Sequence, residues 1–430
     1  MKKNLVAAAA LCGVLLGSST AQAQTCNGIW HWVDVDGTKC LDGSPTGFEY
    51  VCFPNLGPTG PLVVFLESGG ACGDADTCNC TPNSKGVCQC TPNLFASFYG
   101  KAQSNDGLPW AHSYVDSPSA TTPIFIAQGV PSDCNTTSCS PPEALNGPTS
   151  PFNDSSAGIY RWNFVYVPFC VGDTYMGNGK QHTFTPSNPP SGCNSKPYTV
   201  TFNGYNNVGL DIAQVQAMGF SPSKVALIGS SAGAVGVSCN MSRIAAALPQ
   251  TRYAMEDGIA PFNPLFMPYT AWGEAFGAWV PDSNGDPIAK TCPIIANPGE
   301  EWGPSLVARY NAVNLPNIRK AMSDDYYDST EDFFYCLLGA RPDVNGSCAL
   351  AVQRNLVEVL ASDIGEDNPT DKVFYHSSVC HAERIVDNLD ASSSGGADCT
   401  YDGMSTDGVM FRDWFRGWMQ FGGYGWDTVK

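Results

Sequence analysis

Two adjacent serines follow an apolar run in the segment VALIGSSAGAVG, residues 225–236. Within this segment, Gly229 to Gly233 has the form G-x-S-x-G, with Ser231 at its centre. In a tight turn from strand to helix, this pattern holds a serine at a helix N-terminus, where free N–H groups favour a developing negative charge. The pattern predicts that Ser231 is a nucleophile and that the N–H of Ala232 is an oxyanion donor. The alternative is a Gly/Ser turn that binds phosphate or only packs.

A serine nucleophile needs a base, and histidine is the usual one. Hydrolases with this motif have the chain order serine, acid, histidine. Of the five histidines in the chain, His376 and His381 follow Ser231. His381 is preferred because it falls in a loop beyond the apolar segment 372–376, where catalytic residues collect. His376 stays open as the alternative base.

The acid of such a triad should follow a strand between the serine and the histidine. Four carboxylates occupy such positions: Asp257, Asp324, Asp325 and Asp328. Position alone leaves this choice open, although hydrolases of this type usually have the acid after the later strand. A second oxyanion donor should come from a loop after an early strand, and the segment VVFLESGGA supplies Gly69 and Gly70 there.

The elements that must position these residues alternate along the chain. Buried strands are predicted from short apolar runs at 61–70, 162–169, 223–230, 252–260, 317–324 and 372–376. Helices are predicted from apolar spacing at 204–219, 232–247, 329–339, 350–362 and 409–421. This alternation predicts an α/β fold with a mainly parallel sheet and helices on both faces.

The chain has 430 residues and a formal net charge of −18, without a basic cluster. A nucleic-acid partner is therefore not expected, and no obligate protein partner is evident. Residues 1–23 have the charged start, short apolar run and small-residue end of a signal peptide, so export to the periplasm or the medium is expected. No segment is long and apolar enough to span a membrane. Residues 24–430 are predicted to form one catalytic domain, with a Cys-rich insertion at about 71–160 and a cap at about 261–313.

The chain has 19 cysteines, and 18 remain once Cys12 of the predicted signal peptide is removed. An even number in an exported protein indicates disulfide bonds. The segment CNCTPNSKGVCQC, residues 78–90, could alternatively hold zinc through four thiolates. Disulfides are the more common outcome outside the cell, so neither a metal nor a cofactor is expected.

Six blocks in a fixed order resemble the pectin acetylesterase family, a family of secreted carboxylesterases that includes Notum. The blocks are FLESGGAC (65–72), FCVGDTYMG (169–177), GYNNV (204–208), GSSAGA (229–234), YDST (327–330) and FYHSSVCH (374–381). The resemblance implies an α/β-hydrolase fold and removal of acyl groups from esters, without metal or cofactor.

The resemblance also assigns roles to individual residues. It implies that Ser231 is the nucleophile, His381 the base and Asp328 the acid. It implies oxyanion donors at Gly69, Gly70 and Ala232, and a disulfide between Cys72 and Cys78.

Four features depart from the family pattern. Gly70 and Ala71 stand where relatives have tryptophan, and Ala234 stands where relatives have a second glycine. The cysteine of the last block has moved to Cys380, and the segment 79–160 has no clear family counterpart. These departures concern the wall of the pocket, so the substrate does not follow from the resemblance.

The leading prediction is an exported serine esterase that deacetylates a polysaccharide such as pectin. One alternative is a lipase, thioesterase or polyester hydrolase on the same scaffold. Another is a glycan-binding relative without catalysis. Asp257 and Asp325 remain alternative acids.

Overall fold

The computed structural model describes the chain in ranges separated by gaps: 25–41, 43, 45–68, 71–72, 81–82, 88–89, 150–185, 197–258, 277, 279–281, 287–289, 291–292, 304–325, 371–376 and 401–420. The strands in these ranges are, in chain order, β1 (Trp30–Asp34), β2 (Gly47–Val51), β3 (Leu62–Leu66), β4 (Thr81–Pro82), β5 (Cys88–Gln89), β6 (Asn163–Val167), β7 (Lys180–Phe184), β8 (Tyr198–Phe202), β9 (Val225–Ser230), β10 (Thr251–Asp257), β11 (Trp279–Pro281), β12 (Pro287–Ala289), β13 (Arg319–Asp325), β14 (Asp371–His376), β15 (Ser405–Thr406) and β16 (Val409–Met410). The α-helices are α1 (Gly204–Ala217), α2 (Ala232–Ala247), α3 (Pro304–Asn314) and α4 (Phe411–Met419).

Eight of these strands form a central sheet in the order β1-β2-β6-β3-β9-β10-β13-β14. Within this sheet, β6, β3, β9, β10, β13 and β14 run parallel to one another. At one edge, β2 pairs antiparallel with both β6 and β1. The central strands β3 (LVVFL) and β9 (VALIGS) are buried at every position. Continuous apolar runs of this kind are typical of parallel strands that are covered on both faces.

Helices cover both faces of this sheet. On one face, Val208 of α1 and Met241 of α2 belong to the same apolar core as Val64 of the sheet. On the other face, the tryptophans and phenylalanines of α4 pack with alternate residues of the same strands, such as Phe65 and Ile228. Because successive side chains of a strand point to opposite faces, one apolar strand contributes to both cores.

Disulfide bonds tie outer segments to the sheet and to helix α2. The described pairs are Cys26–Cys52, Cys40–Cys170 and Cys239–Cys292. Cys72 is also disulfide-bonded, and its expected partner Cys78 lies outside the described residues. The pairing of Cys72 with Cys78 therefore stays a prediction.

The predicted fold class is confirmed: the sheet is mainly parallel, and helices flank it. The helix predicted at 232–247 has the observed bounds of α2, and the six predicted strands correspond to β3, β6, β9, β10, β13 and β14. The helices predicted at 329–339 and 350–362 lie outside the described residues. Of the predicted cap, the described part consists of the antiparallel pair β11–β12, the helix α3 and the residues Gly277, Thr291 and Cys292. Within the described residues, no helix combines the length and apolar character that crossing a bilayer requires.

Candidate active site

Ser231 lies at the junction between β9 and α2, in a backbone conformation that is rare for residues other than glycine. Its φ is 51° and its ψ is −118°, and conformations of this kind cost about 1–3 kcal/mol. The Ser231 N–H donates to the Asp257 carbonyl at 2.7 Å, and the Ser231 carbonyl accepts from the Ala234 N–H at 2.8 Å. Ser231 is partly exposed, whereas the adjacent Ser230 is fully buried. The accessible serine is therefore the one at the centre of the motif.

The two glycines of the motif are required by close backbone contacts. A Cβ at Gly229 would overlap the carbonyl of Gly233, the second residue of α2. A Cβ at Gly233 would overlap the carbonyl of Leu66 and lie 2.7 Å from that of Glu67. The start of α2 therefore rests directly on the backbone at the end of β3. This contact places the turn that carries Ser231 beside the strand that leads to Gly69 and Gly70.

The first turn of α2 offers backbone donors at the same place. Ala232 is the first residue of this helix, and N–H groups of a first helical turn have no acceptor within the helix. The helix dipole adds a partial positive charge at this end. The helix contains no acidic residue in its first turn that would neutralise this charge. The N-terminus of α2 is therefore suited to stabilise an oxyanion.

Glu67 fixes the strand end from which the segment Gly69–Gly70 continues. Its side chain is buried, and its Oε2 accepts a hydrogen bond from the Phe169 N–H at 2.7 Å. Its own N–H donates to the Val167 carbonyl at 3.1 Å. Burial raises the pKa of Glu67 to about 8, an effect that the Tyr166 hydroxyl and the Phe169 N–H partly offset. Glu67 is therefore mainly protonated at neutral pH and joins the ends of β3 and β6 as a neutral group.

The segment after β6 forms a second buried polar cluster near this strand end. Both carboxylate oxygens of Asp173 accept backbone hydrogen bonds, one from Tyr175 N–H at 3.0 Å and one from Gly204 N–H at 2.8 Å. Burial raises the pKa of Asp173 to about 7, and these backbone hydrogen bonds act in the opposite direction. Thr174 and Tyr175 both have a positive φ, 49° and 61°. Asp173 thus connects a strained segment beside β6 to the start of α1.

The C-terminal ends of β10, β13 and β14 carry the described candidates for the acid and the base. His376 Nδ1 lies 3.1 Å from Asp325 Oδ1, and the two residues are directly paired in the register of β13 and β14. Asp257 accepts a hydrogen bond from the Ser323 hydroxyl. The preferred residues Asp328 and His381, and the expected donors Gly69 and Gly70, lie outside the described residues. The structure therefore places Ser231 and Ala232 of the predicted site and leaves the other four as predictions.

The described residues show no arrangement suited to a metal ion. Among them, no group of three or more His, Cys, Asp or Glu side chains could hold one. The alternative zinc site concerns the cysteines of 78–90, of which only the backbone of Cys88 lies within the described ranges.

One family model matches the chain. Residues 134–257 match the model of the pectinacetylesterase family. The resemblance to the pectin acetylesterase family is confirmed. The match runs from before β6 to the end of β10 and includes Ser231 and Ala232, while Asp328 and His381 lie beyond it.

The pectinacetylesterase match also corrects one departure noted from the sequence. It begins at residue 134, so residues 134–160 do have a counterpart in the family. The prediction that 79–160 has no clear family counterpart is therefore wrong for 134–160. Within it, Ala157 and Ile159 are buried in the core under α4. Small and apolar side chains in a Pro- and Ser-rich stretch gave no periodic signal of this packing.

A solved structure has a similar fold. The Wnt deacylase Notum from Drosophila superposes with a TM-score of 0.50 at 15% sequence identity, covering 91% of this chain and 93% of that chain. No curated protein is significantly similar to the chain in sequence. The Notum likeness therefore concerns the fold, and the pectinacetylesterase match concerns the sequence around Ser231.

Sequence reasoning identified the block FCVGDTYMG as a pectinacetylesterase feature without giving its residues a role. The structure shows that Asp173 and Tyr175 of this block are buried and hydrogen-bonded to the ends of neighbouring strands and helices. The aspartate in an apolar and glycine-rich block was the available signal. A carboxylate in such a setting needs backbone N–H partners, which glycines at Gly177 and Gly204 allow to come close.

Proposed function

We propose that this protein is an exported serine esterase that transfers an acyl group from an ester to Ser231 and then to water. The observation that carries the proposal is the strained turn at Ser231 between β9 and α2, with glycines packed against backbone on both sides. The pectinacetylesterase match over this turn supports an ester as the substrate. The role of each remaining residue follows the resemblance described from the sequence.

In the proposed mechanism, His381 accepts the proton of the Ser231 hydroxyl as its oxygen attacks the ester carbonyl carbon. Asp328 orients the imidazole and stabilises its cation. The N–H groups of Ala232, Gly69 and Gly70 donate to the oxyanion, and each such donor is worth about 3 kcal/mol of barrier. The protonated His381 then gives its proton to the departing alcohol. Water, activated by the same histidine, hydrolyses the acyl-enzyme.

The order of strands supports His381 rather than His376 as the base. Strands β10 and β13 lie between β9 and β14, so three strand spacings of about 4.8 Å each, about 14 Å in all, separate the two strand ends. Serine and histidine side chains joined by a hydrogen bond of about 3 Å do not span this distance from the strands themselves. His381 is not part of β14, so this strand spacing does not apply to it. Asp325 is engaged by His376 at 3.1 Å, and the strand spacing argues against this histidine as the base, so we retain Asp328 as the proposed acid.

The proposal is tested with matched serine variants. Ser231→Ala should abolish hydrolysis of p-nitrophenyl acetate, with the same thermal melt as the wild type. Ser230→Ala makes the same chemical change at the adjacent buried position and should keep activity within about tenfold. A fluorophosphonate probe should label wild type and Ser230→Ala at Ser231, as located by mass spectrometry. Hydrolysis that survives in Ser231→Ala would refute the assignment.

For the substrate, we propose an acetylated polysaccharide such as pectin. The support is the pectinacetylesterase match. The net charge of −18 does not favour binding of a polyanion such as demethylated pectin. Salt at 0.1 M screens this repulsion beyond about 10 Å. Acetate release from acetylated pectin and xylan should accompany a preference for acetyl over butyryl and palmitoyl p-nitrophenyl esters. Palmitoyl preference without acetate release from glycans would instead indicate a lipase, thioesterase or polyester hydrolase.

A further inference from the structure

The hydroxyl of Tyr175 connects the ends of two strands beside the turn at Ser231. It lies 3.1 Å from the Glu67 carbonyl, just after β3, and 3.0 Å from the Val167 carbonyl at the end of β6. Tyr175 is buried, with 1% of its surface exposed. The buried phenolic O–H therefore donates to backbone carbonyls at the ends of both strands, out of contact with water.

The backbone of Tyr175 is held from two directions. Its N–H donates to Asp173 at 3.0 Å, and its carbonyl accepts from the Asn240 side chain of α2 at 3.1 Å. Its φ of 61° lies in the left-handed region. The ring packs against Gly236 of α2, where a Cβ would lie 2.6 Å from it. Tyr175 is thus fixed to the same helix whose N-terminus carries Ala232.

The residues between Glu67 and Cys72 are anchored to the β6 side at both ends. The Glu67 N–H donates to the Val167 carbonyl at 3.1 Å, and the Cys72 N–H donates to the Gly172 carbonyl at 2.8 Å. The expected oxyanion donors Gly69 and Gly70 belong to this stretch of sequence. The geometry of such donors decides the rate, since a misplacement of about 1 Å can cost about 100-fold.

We propose that Tyr175 is a positioning residue of the esterase. It fixes the strand end at Glu67, which leads in the sequence to the expected donors Gly69 and Gly70, relative to the N-terminus of α2. The catalytic part of this role rests on the proposed function. Tyr175 itself touches no reacting atom. Burial raises the pKa of its hydroxyl well above the ordinary value, so the group remains a donor throughout the pH range of an assay.

Tyr175→Phe removes the hydroxyl and leaves the ring in place. The matched control is Tyr253→Phe, because the buried Tyr253 hydroxyl also donates to a backbone carbonyl, that of Met419, at 3.1 Å on the opposite face of the sheet. We expect Tyr175→Phe to lower kcat for p-nitrophenyl acetate about 10- to 100-fold with KM within about twofold. Tyr253→Phe should keep kcat within about twofold, although both variants lose a buried hydrogen bond.

Hydrogen exchange tests the positioning without relying on catalysis. The amides of Glu67 and Cys72 should exchange faster in Tyr175→Phe than in the wild type and should be unchanged in Tyr253→Phe. Gly236→Ala, which pushes the Tyr175 ring from the α2 side and gains helix propensity, should have the same effects on kcat and exchange. This variant keeps the test available if Tyr175→Phe folds poorly.

Two results would overturn the proposal. One is unchanged exchange at Glu67 and Cys72 in both Tyr175→Phe and Gly236→Ala. The other is an equal loss of kcat in Tyr175→Phe and Tyr253→Phe. A wild type without Ser231-dependent hydrolysis would contradict the proposed function and with it the catalytic role of Tyr175, while the exchange data would still decide whether Tyr175 holds the strand end.

Discussion

Replacing Gly233 by alanine adds one methyl group where helix α2 rests on strand β3. This Cβ would overlap the Leu66 carbonyl oxygen and lie 2.7 Å from both the Leu66 carbonyl carbon and the Glu67 carbonyl oxygen. All three neighbours are backbone atoms of a buried strand end. No rotamer change can relieve the overlap, so the helix start and the strand end must separate.

The required separation sets the size of the effect. Ordinary contacts between such atoms are about 3.5 Å, so α2 and the strand end must move apart by about 1 Å. A shift of this size between a nucleophile and its oxyanion donors lowers the rate about 100-fold, or by about 2.7 kcal/mol of barrier. Overpacking lowers the free energy of unfolding by about 1–3 kcal/mol. The better helix propensity of alanine offsets about 1 kcal/mol of this loss. Gly233→Ala should therefore fold and lose most of its kcat.

The measurement is kcat and KM for p-nitrophenyl acetate together with a thermal melt. Gly209→Ala is the control, because Gly209 lies within helix α1 and a Cβ there would meet the flexible guanidinium of Arg243 rather than backbone. It should keep kcat within about twofold. If Gly233→Ala retained wild-type kcat and stability, the close contact between α2 and β3 would not constrain the active site, and the reasoning would be refuted.

Two further predictions concern pH and the base. Burial raises the pKa of Glu67 to about 8 and those of Asp173 and Glu256 to about 7. The folded protein therefore keeps protons that the unfolded chain releases above about pH 4, so the stability that these three groups contribute is fully present below about pH 4 and is lost as the pH rises to about 8. The melting temperature should drop by several degrees between pH 5 and pH 8, and Glu67→Gln should flatten this drop, whereas a wild-type melt that rises over this interval would contradict the assigned protonation. His381→Ala should lower kcat at least about 1000-fold and His376→Ala less than about tenfold, and the reverse order would make His376 the base.

The alternation of strands and helices could be predicted because its signals are local. The apolar runs at β3 and β9 have the lengths of buried parallel strands, and the small residues after Ser231 allow a helix to start at once. The tight turn at Ser231 could also be predicted, because the G-x-S-x-G motif encodes a steric requirement. Gly229 and Gly233 must be glycines because a Cβ at either position would overlap a backbone carbonyl.

The positioning contacts could not be predicted because they join residues far apart in the chain. The hydrogen bond from the Phe169 N–H to Glu67 spans a sequence separation of 102, and that from Tyr175 to the Glu67 carbonyl spans 108. Periodicity and turn chemistry carry no information about such pairs. The strand order β6-β3-β9 makes them neighbours, and only the assembled sheet shows this order.

The protonation of Glu67 gives the strand end a property that a charged carboxylate would lack. A residue that ties β3 to β6 beside the proposed oxyanion site must accept hydrogen bonds without adding negative charge there. A buried anion near the developing oxyanion would raise the barrier, since charges interact strongly where water is excluded. Full burial of Glu67 raises its pKa to about 8, which leaves its Oε2 free to accept from Phe169 while the group as a whole is neutral. On this argument, the desolvation that lowers the stability of the fold at alkaline pH also keeps the surroundings of Ser231 suited to a negative transition state.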